Sequence, residues 1–346
     1  MTGIERVKAA FKGKRADRVA CYPIVSGLAA RAVGRTLGEY YTDTRVLAAA
    51  QLALYQELRQ DVVVMMGDLF LEVEAMGARV EFPDDDMPRL RSYLLEDKGT
   101  LAALEPPDPA ASGRLPGYFD ACRQVAAEVR ESAVGAVLSG PWTLAVNLRG
   151  AENLIYDTSE DPKFVHEIMG LTTEVAKRTG AAAGAAGAGL SFSEAPASLS
   201  LISPKIFREF VLPYDREVVS FLRERRMGVT LHVCGFIDPI VDDVLATGCA
   251  AVSMDKPSSL EKMLQAARGR AVTIGNVSTS VFVEGSMQDV EDEVARCLAA
   301  AAGCEGFILS TGCEISVRGD LDKVKWFCQR AASLGELTQD GKEKGE

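Results

Sequence analysis

Eight short apolar runs, rich in β-branched residues, recur along the chain with helix-like segments between them. That alternation is expected of a parallel sheet whose crossovers are helices, because parallel strands cannot be joined by tight turns and need both faces covered. The runs lie at Val19–Ile24, Val62–Met66, Val134–Ser139, Gly189–Ser193, Val229–Val233, Ala250–Met254, Ala271–Ile274 and Gly306–Ser310. Eight such units favour a closed (β/α)8 TIM barrel over an open doubly wound sheet. With 346 residues and 47% apolar composition the chain can bury one large core. Residues 1–346 are therefore expected to form a single barrel domain.

The opening segment Ile4, Val7, Ala10, Phe11 has helical spacing and is expected to cap the barrel bottom or pack beside it. The second crossover is long. Residues 68–132 hold room for a hairpin around Val80–Phe82 and Leu90–Leu94, the acidic turn Pro83-Asp84-Asp85-Asp86, the linker Glu105-Pro106-Pro107-Asp108-Pro109, and a helix. An insertion of that length at the mouth of a barrel serves as a lid, a docking surface or simple elaboration. The Ala/Gly stretch Gly180–Gly189 is too weakly apolar to span a bilayer and reads as a closely packed helix end leading into a strand.

A formal charge of −11 argues against nucleic acid or anionic lipid as a partner, since both require clustered Lys and Arg. Eight cysteines are too few for a disulfide scaffold, and the start Met1-Thr2-Gly3-Ile4-Glu5-Arg6 has no apolar signal segment. The expected compartment is the cytoplasm, with no membrane span.

Gly228-Val229-Thr230-Leu231-His232-Val233-Cys234-Gly235 alternates apolar and polar positions as a strand does. Val229, Leu231 and Val233 then face the helices, and Thr230, His232 and Cys234 the interior. Residues two apart on one strand face lie roughly 7 Å apart at Cα, so an imidazole and a thiolate can reach one ion. Phe307-Ile308-Leu309-Ser310-Thr311-Gly312-Cys313-Glu314 repeats the design, an apolar strand followed by a glycine and a cysteine. Cys313 is far too distant from Cys234 in sequence for a zinc finger, and only a closed fold brings them together. One nitrogen and two sulfurs suit Zn2+ and leave a coordination position open for a substrate. The competing reading is a hydrogen-bonded interior histidine with two cysteines buried as small hydrophobes.

Asp255 ends the next strand and is a candidate fourth zinc ligand when no substrate is bound; a substrate contact and an Asp255–Lys256 surface pair compete with that role. Asp68, Glu194, Asn276 and the turn Gly140-Pro141-Trp142-Thr143 are polar strand ends expected to shape a cofactor or substrate pocket. His166 reads as a helix-surface residue. Cys21, Cys122, Cys249, Cys297, Cys304 and Cys328 have no partner pattern.

Several motifs together resemble the uroporphyrinogen decarboxylase superfamily. They are Glu5-Arg6-Val7-Lys8-Ala9-Ala10 with Asp17-Arg18-Val19, the run from Asp68 to Gly77, Gly140-Pro141-Trp142-Thr143-Leu144-Ala145, Leu201-Ile202-Ser203-Pro204 with Phe207, Leu212-Pro213-Tyr214, and Gly312-Cys313-Glu314-Ile315. His232, Cys234 and Cys313 match the His-x-Cys and distant Cys of its zinc-dependent branch, the methylcobamide:coenzyme M methyltransferases. True decarboxylases of the superfamily lack that site and carry an early arginine-rich motif, where this chain has Gly27-Leu28-Ala29-Ala30-Arg31-Ala32. A porphyrin with many carboxylates needs fixed cations, so a metal-free tetrapyrrole decarboxylase is the runner-up reading. A binding module with a structural zinc is a third.

The resemblance implies methyl transfer between a corrinoid and a small thiol, or another small methyl acceptor or donor, with zinc activating the substrate. It also implies that a separate protein carries the corrinoid, because an Asp-x-His-x-x-Gly cobalt-ligand motif is absent: the one His-x-x-Gly, His232-Val233-Cys234-Gly235, has Thr230 in place of the Asp. Where the family often has Gly-Asn-Val-Asp, this chain has Gly275-Asn276-Val277-Ser278. That departure leaves room for an acceptor other than coenzyme M.

Overall fold

The structure is a computed structural model that describes residues 1–340. Eight parallel strands form its centre: β1 (Ala20–Tyr22), β2 (Val62–Met65), β3 (Ala133–Ser139), β4 (Gly189–Ser193), β5 (Val229–Val233), β6 (Ala251–Met254), β7 (Val272–Val277) and β8 (Phe307–Thr311). They pair in chain order from β2 to β8, and β8 pairs in turn with β1. The seam between β1 and β2 is closed by Asp61, whose N–H donates to the Cys21 carbonyl (3.0 Å) and whose carboxylate accepts the Cys21 N–H (2.7 Å). The fold is a (β/α)8 barrel, and each expected strand lies within a few residues of its expected place.

The pleat sorts side chains into two cores, because successive residues of a strand point to opposite faces. Tyr22, Val64, Val137, Ile274 and Ile308 fill the barrel interior, and Ala10 of the helix Gly3–Phe11 joins them from below. Val229, Leu231 and Val233 belong instead to the core shared with the surrounding helices. The helix Leu260–Ala267 shows how that layer is encoded: Leu260, Met263, Leu264 and Ala267 form one buried stripe at helical spacing. Each large side chain of such a stripe contributes about 1.5–3 kcal/mol by leaving water. The Ala/Gly run ends the helix Pro162–Ala185 and leads into β4; a Cβ on Gly180 would press Leu190, Leu222 and Phe192 at 3.1 Å, which is why glycine sits there. Among the described residues no helix is long and apolar enough to cross a membrane.

Between β2 and β3 the chain forms a two-stranded antiparallel hairpin, Val80–Glu81 with Arg89–Leu90, and later the helix Leu115–Glu128. Arg114 ties this excursion down. Its guanidinium pairs with Asp68 (2.8 Å) and Glu74 (2.6 Å), donates to the Tyr41 carbonyl (2.7 Å) and lies over the Phe82 ring. The Asp68 side chain is only 2% exposed, so its charge depends on this partner. Arg114→Met is expected to cost about 3 kcal/mol in urea unfolding, because it strands a buried carboxylate.

Nearby Glu72 is fully buried, and burial pushes its carboxyl up to about 7 even though it accepts the Ser139 N–H. The folded chain then holds a proton that the unfolded chain releases near 4.5. This contribution is complete below pH 4.5 and is lost as pH rises through 7. Glu72→Gln should remove roughly 3 kcal/mol of the decline in stability between pH 4.5 and 7, read from urea midpoints across that range.

Candidate metal centre

The C-terminal ends of β5 and β8 meet across the barrel mouth. His232 Nε2 lies 3.0 Å from Cys234 Sγ, the two sulfurs of Cys234 and Cys313 are 3.3 Å apart, and Cys313 Sγ is 3.6 Å from His232 Nε2. These are the only three His, Cys or carboxylate side chains among the described residues whose donor atoms gather closely enough to hold an ion. A tetrahedral zinc with bonds of about 2.3 Å to sulfur and 2.0 Å to nitrogen separates its ligand atoms by roughly 3.5–3.8 Å. The observed triangle is slightly tighter, so small outward movements would seat the ion. The donors therefore fit zinc by type and by spacing.

Pairing in the sheet explains how the imidazole is aimed. His232 lies directly opposite Ser253 of β6, and its Nδ1 is 2.9 Å from Ser253 Oγ. With Nδ1–H donating to that hydroxyl, the Nε2 lone pair faces the sulfurs. Each sulfur sits beside a glycine. Gly235 turns the chain at φ +67°, and a Cβ on Gly312 would strike Asp255 and the Lys256 nitrogen at 2.9 Å.

The two sulfurs are pushed in opposite directions. The hydrogen bond from Cys234 holds the Cys313 thiol down to about 4, burial opposes this, and His232 lowers it further. Cys234 is pushed up, first by that same hydrogen bond and then by burial. Burial works against a charged His232, but Cys313 outweighs it and raises the imidazole. A thiolate held among soft donors in a half-buried pocket is a site waiting for a soft divalent cation.

Asp255 does not join the triangle. Its two oxygens accept the N–H groups of Gly235 (3.0 Å) and Lys256 (2.7 Å). The other polar strand ends are likewise engaged within the protein. Asp68 accepts the Phe70 N–H besides pairing with Arg114. Glu194 accepts from the Trp142 and Thr143 nitrogens and the Thr143 hydroxyl, and burial raises both it and its neighbour Asp215. Asn276 donates to the Asp255 and Ser258 carbonyls and accepts from Arg296. His166 is exposed on its helix against Tyr214, and the six remaining cysteines are free.

A cavity of about 100 Å³ opens beside the triangle, walled by Tyr22, Ile24, Met66, Leu69 and Val137 together with Ser191, Ser193, Ala195, Ser253 and Glu314. Ser253 and Glu314 are the site residues that sequence reasoning passed over. Ser253 could have been found from pleat parity with Asp255, and Glu314 from its place beside Cys313. Burial, and then the charge on Cys313, pushes the Glu314 carboxyl up to about 8, and it accepts a hydrogen bond from Ser26.

The sequence model of the family described as Uroporphyrinogen decarboxylase (URO-D) matches residues 2–334. The chain belongs to this family. It is 25% identical over 333 residues to the methylcobamide:CoM methyltransferase MtaA of Methanosarcina barkeri, covering 92% of this chain and 94% of that one. It is also 28% identical over 301 residues to the uroporphyrinogen decarboxylase of Xanthomonas euvesicatoria pv. vesicatoria, covering 80% and 83%. Among solved structures, a methyltransferase from Methanosarcina mazei superposes with a TM-score of 0.88 at 23% identity, over 96% of this chain and 99% of that one. The resemblance to the superfamily drawn from sequence motifs and the barrel fold are thus both upheld.

Ser253→Ala should weaken zinc binding by about 10–100-fold, because the imidazole loses the partner that fixes its orientation. Competition with a chromophoric chelator measures this directly.

Proposed function

We propose that this protein is a zinc-dependent methyltransferase that moves a methyl group between a corrinoid carried by a separate protein and a small thiol or other small methyl acceptor or donor. The observation that carries the reading is the convergence of His232 Nε2, Cys234 Sγ and Cys313 Sγ at the barrel mouth, where barrel enzymes hold their reacting groups. Three protein ligands leave a fourth position for a reactant. The name of the Methanosarcina barkeri relative, a methylcobamide:CoM methyltransferase, agrees with that chemistry.

Zinc bound by these residues would keep a substrate thiol as thiolate near neutral pH. The remaining work falls to the chain. His232 is held by Ser253 in the orientation that presents Nε2, and Cys313, lowered by its hydrogen bond from Cys234, is the sulfur that gives up its proton more readily. The apolar wall of Tyr22, Met66, Leu69 and Val137 keeps water from a nucleophile that reacts best when poorly solvated. In the thiol-directed reaction the substrate sulfur attacks the methyl carbon in line. A methyl-corrinoid on the partner protein would supply that methyl, the new C–S bond replacing the Co–C bond with the electron pair left on cobalt.

A tetrapyrrole decarboxylase fits the site less well, although decarboxylases stand among the relatives. The cavity is about 100 Å³, and among the described residues no Lys or Arg lines it. A polycarboxylate of tetrapyrrole size needs far more room and several cations.

Purified protein is expected to hold about one zinc per chain, and adding methylcobalamin with a small thiol should change the visible spectrum as the cofactor is demethylated. Cys313→Ala should lower that rate by at least about 1,000-fold, with the barrel still folded by circular dichroism. Protein without zinc, showing no demethylation with any thiol tried, would reject the reading. Unfolding on chelation, with no thiol reaching the metal, would make the zinc structural instead.

A further inference from the structure

Several of the strongest anion-binding donors around the mouth are already taken by the protein's own carboxylates. The Gly235 and Lys256 N–H groups donate to Asp255. At the start of the helix Pro141–Arg149, the Trp142 and Thr143 N–H groups donate to Glu194. Arg114 is paired with Asp68 and Glu74, and Lys256 and Arg296 with Glu293. A helix N-terminus, a turn of free backbone N–H groups and an arginine are the usual ways to hold a sulfonate, carboxylate or phosphate. Here each of them faces an internal anion.

The cavity itself repeats the message. Its walls are largely apolar, with Tyr22, Ile24, Met66, Leu69 and Val137 opposite the ligand triangle, and among the described residues no Lys or Arg reaches it. Its one carboxylate is Glu314, which is engaged by Ser26, and its phenol Tyr22 is held neutral by burial. An anionic group entering this space would lose water and meet only the neutral hydroxyls of Tyr22, Ser191, Ser193 and Ser253, with no cation to pair with, an imbalance that costs on the order of 1–3 kcal/mol. Size narrows the choice further. A cavity of about 150 Å³ holds benzene, so the roughly 100 Å³ beside the triangle suits a compact group next to the sulfurs.

We infer that the thiol substrate of this site is uncharged, apolar and compact, a small alkanethiol rather than a thiol with an acidic tail. The inference rests on the reading of His232, Cys234 and Cys313 as a metal centre that binds a thiol. It adds what the rest of the mouth selects for. The strand-end carboxylates Asp255, Glu194 and Asp68 act here by occupying donors, which removes the features an acidic thiol would use.

The test is thiol binding to protein loaded with Co2+ in place of zinc, followed by the sulfur-to-cobalt absorption, which needs no turnover. Ethanethiol is expected to half-saturate the change at least about tenfold below the concentration of 2-mercaptoethanesulfonate. Leu69→Arg, which puts a cation on the cavity wall, should narrow or reverse that ratio by strengthening the sulfonate's binding about tenfold. Equal or tighter binding of 2-mercaptoethanesulfonate by the unaltered protein would overturn the inference while leaving the metal-thiol reading intact. A cobalt-loaded protein whose spectrum neither thiol perturbs would sink that reading, and the inference with it.

Discussion

Asp61 is the clasp on which the barrel depends. It stands just before β2, is 1% exposed, and accepts the Cys21 N–H, two bonds from Arg18 and one from Arg6, while its own N–H and C=O bond to Cys21 and Ala133. One buried carboxylate therefore joins β1, β2 and β3 to the N-terminal helix at the foot of the barrel. The charge is tolerable there because two guanidiniums and a backbone N–H satisfy it. Closure at the foot also governs the opposite end. β1 pairs with β8, the strand that leads into Cys313, so the meeting of Cys313 with His232 and Cys234 is a property of the closed ring.

At the mouth the same economy of charge recurs with a different result. The ligand triangle favours a thiolate on Cys313, while the carboxylates around it satisfy backbone N–H groups and paired cations. Strands that end together expose a cluster of backbone donors which must be satisfied by water, ligand or protein. In this chain the protein answers for several of them. The polar groups of the rim are thereby largely paired with one another, and the two sulfurs and the imidazole stand at the open side of the cavity.

Much of this was legible from residue order. The eight strands, the division of Val229, Leu231 and Val233 from Thr230, His232 and Cys234, and the arrival of Cys313 beside Cys234 all follow from period-two alternation and barrel closure. The purpose of the other polar strand ends was not legible. Asp68, Glu194, Asn276 and Asp255 lie where pocket residues would lie, but their partners are Arg114, two backbone nitrogens, Arg296 and Gly235, all remote in sequence or anonymous as backbone. A carboxylate that binds a ligand and one that pins a turn have the same letter code. Glu314 escaped for a related reason: its environment comes from Ser26, almost the whole chain away.

The spacing of the two ligand sulfurs has a practical consequence. At 3.3 Å, Cys234 and Cys313 are one oxidation away from a covalent bond of about 2.05 Å, and one of them is already the reactive thiolate. A resident ion would act as a protecting group for the pair. Stripped of it in air, the protein would cross-link itself into a form that no longer takes up metal, and a preparation made without reductant would look inert for reasons unrelated to its chemistry.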